Sequence, residues 1–405
     1  MTRWLVALGG VLLMACLGTV YAWSLFTQPL QAAFGWTSTQ ATAPFSIAIF
    51  FLGVGAVLGG RWQDRAGPRP VALTGALLWG AGNLLAGLGT ARLGAPWLYF
   101  TYGVLGGLGL GLGYVTPVAA VTKWFPDRRG LGSGLVVGGF GLGAFLYAHL
   151  LRSLPAFAAS APAGSGGPVL NTFTASGVAF AILGGAGAIL LRDPPAPPPS
   201  AALAPAGPDF TPGRMVRTPQ FWAAFAMLFL NVTAGILFIS NAVPIMRELT
   251  GALPATAAAV YGTIALANAA GRFLWGAVSD RIGRRAAFAA IYLLQVSVFL
   301  TVGRLHSMWG VAPLFALVLV CYGGGFGVMP SLMADWFGTR HLGVNYGWVL
   351  LAWSAAGVAG PGFVAAVKDR TGSFADALPA TAALLLLATL LPVVVRAPAA
   401  SRVQG

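Results

Sequence analysis

The chain has 405 residues, 57% of them hydrophobic and only 8% charged, with a mean hydropathy of +0.80. A soluble domain carries about 25% charged residues, so this composition excludes a water-soluble globular enzyme, a disordered chain and a fibre. The net charge of +14, from 23 Lys and Arg against 9 Asp and Glu, fits basic cytoplasmic loops better than nucleic-acid binding. An all-α membrane protein is the class that remains.

A helix that crosses a bilayer takes about 20 apolar residues. In chain order the sequence predicts spans 1 to 12 over 4–28, 41–62, 71–90, 96–122, 130–151, 169–191, 219–246, 255–277, 286–304, 309–334, 342–366 and 376–396. Span 1 imitates a secretory signal, with Arg3, a long apolar run and a lipoprotein-like Leu13-Met14-Ala15-Cys16. Its apolar stretch reaches Leu30, too long for a signal core, so a retained first helix is expected. Between spans 6 and 7 lies a Pro-rich stretch, 192–217, which cannot pack a core and reads as a tether. The expected organisation is therefore a six-helix bundle over 1–191, the linker, and a second six-helix bundle over 218–405. With the N-terminus inside, sixteen basic residues fall on the inner side and six on the outer, leaving Arg272 within a span. That bias puts both termini in the cytoplasm.

The halves repeat one another. Gly60-Arg61-Trp62-Gln63-Asp64-Arg65-Ala66-Gly67-Pro68-Arg69 follows span 2, and Gly276-Ala277-Val278-Ser279-Asp280-Arg281-Ile282-Gly283-Arg284-Arg285 follows span 8. Both read G-x-x-x-D-R-x-G-x-R. Likewise Trp124-Phe125 with Arg128 and Gly132 after span 4 matches Trp336-Phe337 with Arg340 and Gly343 after span 10. Parallel repeats of six helices are a transporter design. In the loops, Gly67 and Gly283 permit a tight turn. Asp64 and Asp280 end helices where Arg65, Arg69, Arg281 and Arg284 can pair with them or with helix C-termini, an expected cytoplasmic gate.

Twelve spans, a linked repeat and these loop motifs resemble the major facilitator superfamily. Three narrower features are similar to its monocarboxylate transporter and oxalate:formate antiporter group. They are Tyr21-Ala22-Trp23-Ser24-Leu25-Phe26, the run from Lys123-Trp124-Phe125 through Arg128 and Arg129 into Gly132-Ser133-Gly134, and Asp369-Arg370-Thr371-Gly372-Ser373-Phe374.

Arg272 is the one charge deep in a span. It precedes Asp280 by eight residues, about 12 Å of helix, and a central Arg costs at least about 2.5–3.5 kcal/mol on insertion scales. All nine acids lie at span ends or in loops, so the missing counter-ion is expected to be a carboxylate substrate. Asn268 lies one turn earlier on the same face. Tyr322 and Phe326 share a face of span 10; Tyr21, Ser24 and Gln28 share a face of span 1; Tyr114 sits within span 4. These form the expected binding set, with Asn231 and Asn241 on span 7 as weaker candidates. The resemblance implies aromatics of this part of span 10 in the binding site. His149, near the outer end of span 5, reads as a packed or interfacial residue.

Two departures from the group are visible. Its proton-coupled animal members pair the span 8 Arg with a carboxylate where Asn268 stands, and carry a Lys in span 1. The oxalate exchanger resembles this chain in span 8 but adds a Lys in span 11. Here span 11 has no Lys or Arg before Lys368. One buried Arg suits one negative charge. The sequence thus predicts a monomeric secondary carrier of the inner cell membrane for a lactate-, pyruvate- or formate-like monocarboxylate, with or without a proton. The alternative is an oxalate:formate-type exchanger, and more distantly a drug/proton antiporter. No P-loop, metal-spaced His/Cys set or Ser/His/Asp arrangement points to an enzyme or a cofactor, and Cys16 and Cys321 sit in separate apolar runs.

Overall fold

The computed structural model describes residues 2–153, 167–195, 209–371 and 377–398, nearly all of them helical. Eight helical runs among them are long and apolar enough to cross a membrane. One of these, Pro68–Trp124, holds both span 3 and span 4, because Gly94 breaks it with φ 69° and ψ −160°. Span 8 is interrupted at Ala265, between Pro254–Ile264 and Leu266–Ile282. Span 11 is Leu342–Thr371, and span 12 contains the shorter apolar stretch Leu378–Val394. Residues 196–208 of the Pro-rich stretch lie outside the described residues. The chain just after them docks beneath spans 10 and 11, where Phe210 N–H donates to the Phe337 carbonyl and Asn345 donates to the Phe210 carbonyl.

Local chemistry explains where helices start and turn. A capping box of Thr37 and Gln40 opens Ser38–Ala66. Thr218 caps Pro219–Thr250, whose first-turn proline has no N–H to leave unpaired. Gly67 and Gly283 hold φ of 79° and 87° at the two repeated loops, a conformation that other residues rarely adopt.

Span 1 is not one continuous helix. Arg3–Gly18 passes into a 3-10 turn, Thr19–Ala22, and restarts as Ser24–Phe34. Trp23 pins that break, donating from its indole to the Ala41 carbonyl at 3.0 Å and packing 4.4 Å from the Tyr102 ring.

Two helix crossings carry most of the contact between the repeats: span 2 against span 11, and span 5 against span 8. Both are glycine contacts. A Cβ on Gly60 would collide with the Gly343 carbonyl, and one on Gly130 with the Gly276 carbonyl. Close backbone approach of this kind is how membrane helices pack without a hydrophobic driving force. At each crossing an aspartate from the repeated loop motif closes the contact. Asp64 accepts from the N–H groups of Gly343 and Val344 at 3.1 and 2.9 Å. Asp280 accepts from those of Gly130 and Leu131 at 2.9 and 2.8 Å. Each carboxylate therefore sits on the free donors of a helix N-terminus, where the macrodipole favours negative charge.

The expected arginine partners divide. Arg284 pairs with Asp280 at 2.6 Å and with Asp335 at 3.0 Å, and Arg129 reaches Asp335 at 2.7 Å. Arg65 and Arg281 are exposed and form no ion pair among the described residues, while the Arg69 Nε is buried without an acceptor. The aspartates turn toward helix N-termini instead, because two ordered N–H donors offer a fixed pair of short bonds to one carboxylate.

Asp280→Asn removes the charge that both Arg284 and the helix N-terminus bind. Hydrogen bonds to charged groups contribute about 1.5–3 kcal/mol each, so this closed face should open more often. A cysteine replacing Ser331, which is buried and bonded to Ser133, should be alkylated at least about tenfold faster in the Asp280→Asn background. An unchanged rate would show that the aspartate does not hold the face shut.

Candidate functional site

The other end of the molecule is open. A cavity of about 570 Å³ is lined by residues of spans 1, 2, 5, 7, 8, 10 and 11. Span 5 runs its length: Gly141, Ala144, Phe145, Ala148, His149 and Arg152 all face it. Since span 5 starts at the Asp280 contact and reaches Arg152 one residue before its end, the cavity opens on the face opposite the aspartate contacts. Tyr21 and Ser24 line it, as do Asn268, Tyr322 and Trp353.

Arg272 lies beneath the floor of this cavity rather than in its wall. It is 0% exposed. Its Nε donates to Asn268 Oδ1 at 3.1 Å and its Nη1 to the Val137 carbonyl at 3.4 Å, while Nη2 has no acceptor. The guanidinium stands 4.8 Å from the Phe326 ring and 5.2 Å from the Phe140 ring. A cation over desolvated aromatic faces gains about 2 kcal/mol. That offsets part of the burial cost, and among the described residues no acid is bonded to it. Asn268 is one turn away because both sit on Leu266–Ile282, just past the interruption at Ala265, and its own N–H reaches back to the Ala265 carbonyl.

Aromatic side chains close the chamber. Tyr21 and Tyr322 join hydroxyl to hydroxyl at 2.9 Å, bridging span 1 to span 10. Trp353 touches the rings of Phe326, Tyr114, Phe140 and Tyr21, with centroids 4.8, 5.3, 5.8 and 6.0 Å away. The charge of Arg272 reaches the hydroxyls of Tyr21, Tyr114, Tyr322 and Tyr346. Four buried polar atoms in this chamber, Arg272 Nη2, the Trp353 indole nitrogen and the hydroxyls of Tyr114 and Tyr346, make no hydrogen bond within 3.5 Å among the described residues, though the two hydroxyls lie near each other and the Tyr114 hydroxyl near the guanidinium. All four can donate a hydrogen bond, which suits a carboxylate with two oxygens and about four acceptor sites.

Of the eight residues expected at the site, Arg272, Asn268, Tyr322, Phe326, Tyr21 and Tyr114 therefore gather around one chamber, and Ser24 lines the cavity above it. Gln28 does not. It is exposed and outside the cavity lining. The 3-10 turn winds at about three residues per turn instead of 3.6, so the face that an ideal helix would share from Tyr21 to Gln28 is rotated. Asn231 is taken up elsewhere, donating to the Tyr322 carbonyl and accepting from Gln295, each at 3.0 Å. Asn241 lies outside the described side chains. Phe140, Tyr346 and Trp353 join the chamber without having been candidates. Phe140 was hidden among the glycines of span 5; Tyr346 and Trp353, two turns apart on span 11, carried a readable signal.

Comparison with known proteins follows this geometry. The family model of the Major Facilitator Superfamily matches residues 8–361 and again 232–404. The chain belongs to the major facilitator superfamily. The oxalate:formate antiporter of Oxalobacter formigenes is 29% identical over 91% of this chain and 86% of its own length. Monocarboxylate transporter 13 of Bos taurus is 26% identical over 95% and 87%, and the apicoplast pyruvate carrier 1 of Toxoplasma gondii 28% over 86% and 81%. Among solved structures, the E. coli fucose:proton symporter FucP superimposes with a TM-score of 0.73 at 16% identity, covering 95% of this chain and 97% of that one. The twelve-helix fold and membership among transporters follow. The second match, beginning at 232, overlaps the first in the C-terminal part of the chain.

The Tyr21–Tyr322 bridge is open to a double-mutant cycle. Tyr21→Phe and Tyr322→Phe each delete one member of a hydrogen bond that contributes about 0.5–1.5 kcal/mol. On the thermal midpoint of the purified protein, the double variant should cost no more than the larger single change. Additive losses would show that the two hydroxyls do not interact.

Proposed function

We propose that this superfamily transporter carries a small monocarboxylate by alternating access, with Arg272 as the carboxylate's partner. The observation that carries this reading is the Arg272 guanidinium, wholly buried, two of its nitrogens held by protein oxygens and the third without an acceptor. A permanent acid would neutralise it, and none of the acids among the described residues is bonded to it. A transported anion supplies the missing charge in each cycle. Asn268 orients the guanidinium, Tyr21, Tyr114, Tyr322 and Tyr346 offer hydroxyls, and Phe140, Phe326 and Trp353 keep the chamber dry, where electrostatic attraction is strong.

In this reading the aspartate contacts form the cytoplasmic gate and the cavity faces outward. Substrate enters past the Tyr21–Tyr322 bridge, the outer parts of the spans close over it, and the Asp64 and Asp280 contacts then release. The protein is a multi-pass inner-membrane monomer with both termini in the cytoplasm. The names of its relatives, which include an oxalate:formate antiporter and a pyruvate carrier, agree with a carboxylate cargo. A single cation in the chamber favours one negative charge, since a second carboxylate would be buried unpaired.

Arg272→Gln leaves a shorter polar side chain that can still hydrogen-bond but removes the charge. Uptake of labelled L-lactate into proteoliposomes should fall at least about a hundredfold, with the variant eluting as a folded monomer. Transport at normal affinity would end this reading. Asn268→Asp gives Arg272 an internal counter-ion at the 3.1 Å contact, and the half-saturation concentration for lactate should rise about tenfold, some 1.4 kcal/mol. Trp353→Lys adds a second cation to the same chamber and should let oxalate compete with lactate. If oxalate remains without effect, span 11 does not meet the substrate there.

A further inference from the structure

We propose that Arg152, with His149, forms a second anion-binding site at the mouth of the cavity, which takes the carboxylate before it reaches Arg272. Arg152 is the only formally charged residue among the described cavity-lining residues, and none of them is an acid. It forms no ion pair among the described residues, so its charge is available to an incoming anion.

The placement is specific. An arginine near the end of a membrane helix ordinarily extends to the lipid interface. Arg152 instead turns inward. Its Nη1 lies 3.0 Å from where a Cβ on Gly262 would stand, so the guanidinium rests on the backbone of span 8 across the cavity mouth. The absence of a side chain at Gly262 makes room for it. One turn earlier on span 5, His149 also lines the cavity, its ring stacked on Phe145 at 5.6 Å. It adds a hydrogen-bonding nitrogen beside the charge.

The two cations are too far apart to hold one small molecule together. Gly141, beside the floor, and Arg152 are eleven residues apart on one helix, about 16 Å. A lactate or formate ion spans a fraction of that. The sites must therefore be visited in turn. Between them the wall is largely apolar and aromatic, including Ala144, Phe145, Ile49, Ile236 and Leu319. An anion held at the mouth raises the local concentration above a chamber that it would otherwise enter only by shedding water. Such focusing acts on capture more than on turnover and weakens with salt.

The proposal takes its probe from the carboxylate reading above but stands on separate residues. Uptake of labelled L-lactate from the cavity face is measured against concentration at low and high ionic strength. Arg152→Gln should raise the half-saturation concentration about fivefold, more than it lowers the maximal rate, and should flatten the salt dependence. Arg152→Lys should restore most of both. Gly262→Val, which displaces the guanidinium, should resemble Arg152→Gln. Half-saturation and salt dependence unchanged in Arg152→Gln would overturn the proposal. A second measurement separates it from the role of Arg272. In Arg272→Gln protein, formate and chloride are titrated against the fluorescence of Trp23 and Trp353, both in the cavity wall. Weak binding of formate that disappears when Arg152→Gln is added supports the site. Chloride binding lost in the same way also supports it and makes the site one for small anions in general. No binding of either anion in Arg272→Gln alone would contradict it. If Arg272→Gln still transports, the reading of the chamber fails while the result at Arg152 is decided separately.

Discussion

A buried positive charge organises this molecule. Arg272 is 0% exposed within an apolar helix bundle, and an unpaired charge in such surroundings is costly. Three kinds of contact make it tolerable: the Asn268 amide, the Val137 carbonyl, and the faces of Phe140 and Phe326. They come from span 8 itself, from span 5 and from span 10. The charge thus draws together helices of both repeats at one level. The contacts spread the charge without cancelling it, which is the state that a reversible anion site requires.

The repeated loops use the same electrostatics at the opposite end. Asp64 and Asp280 are negative charges placed on the N-termini of helices 11 and 5, with backbone N–H groups as the partners. Such bonds are directional, so they break together when the helices tilt apart. The glycines at Gly60, Gly130, Gly276 and Gly343 bring the helices close enough for the carboxylates to reach. Interruptions stand at the opposite pole: the 3-10 turn of span 1 at Thr19–Ala22 and the break of span 8 at Ala265. One crossing zone is continuous and locked. The other is broken and lines a cavity. A hinge between two such ends is the mechanical basis of alternating access.

Much of this was legible in the residues. Apolar runs gave the span positions, because a bilayer fixes helix length and excludes charge. The D-R-x-G-x-R repeat located both tight turns, since only glycine takes a φ of 79° or 87° comfortably. Arg272 announced itself as a charge where none should be, and its i, i+4 neighbour Asn268 followed from helix geometry. What escaped depended on distance in three dimensions. Gln28 was assigned by ideal periodicity, which the 3-10 turn breaks. Arg65 and Arg281 were obvious partners in sequence, yet their aspartates find helix N-termini that lie far along the chain. Asp335 looked like a loop acid and serves Arg129 and Arg284. Phe140 among glycines carries no pattern of its own; only the fold brings it over the guanidinium.

The central claim is that one buried guanidinium selects one negative charge. Its most direct measurement is initial uptake of labelled L-lactate into proteoliposomes, with unlabelled formate, pyruvate and oxalate as competitors and with and without an inward proton gradient. Saturable uptake that formate and pyruvate inhibit and oxalate does not would agree with the account, whichever way the gradient acts. Uptake that oxalate inhibits as strongly as pyruvate, or that appears only when oxalate is loaded inside, would contradict it.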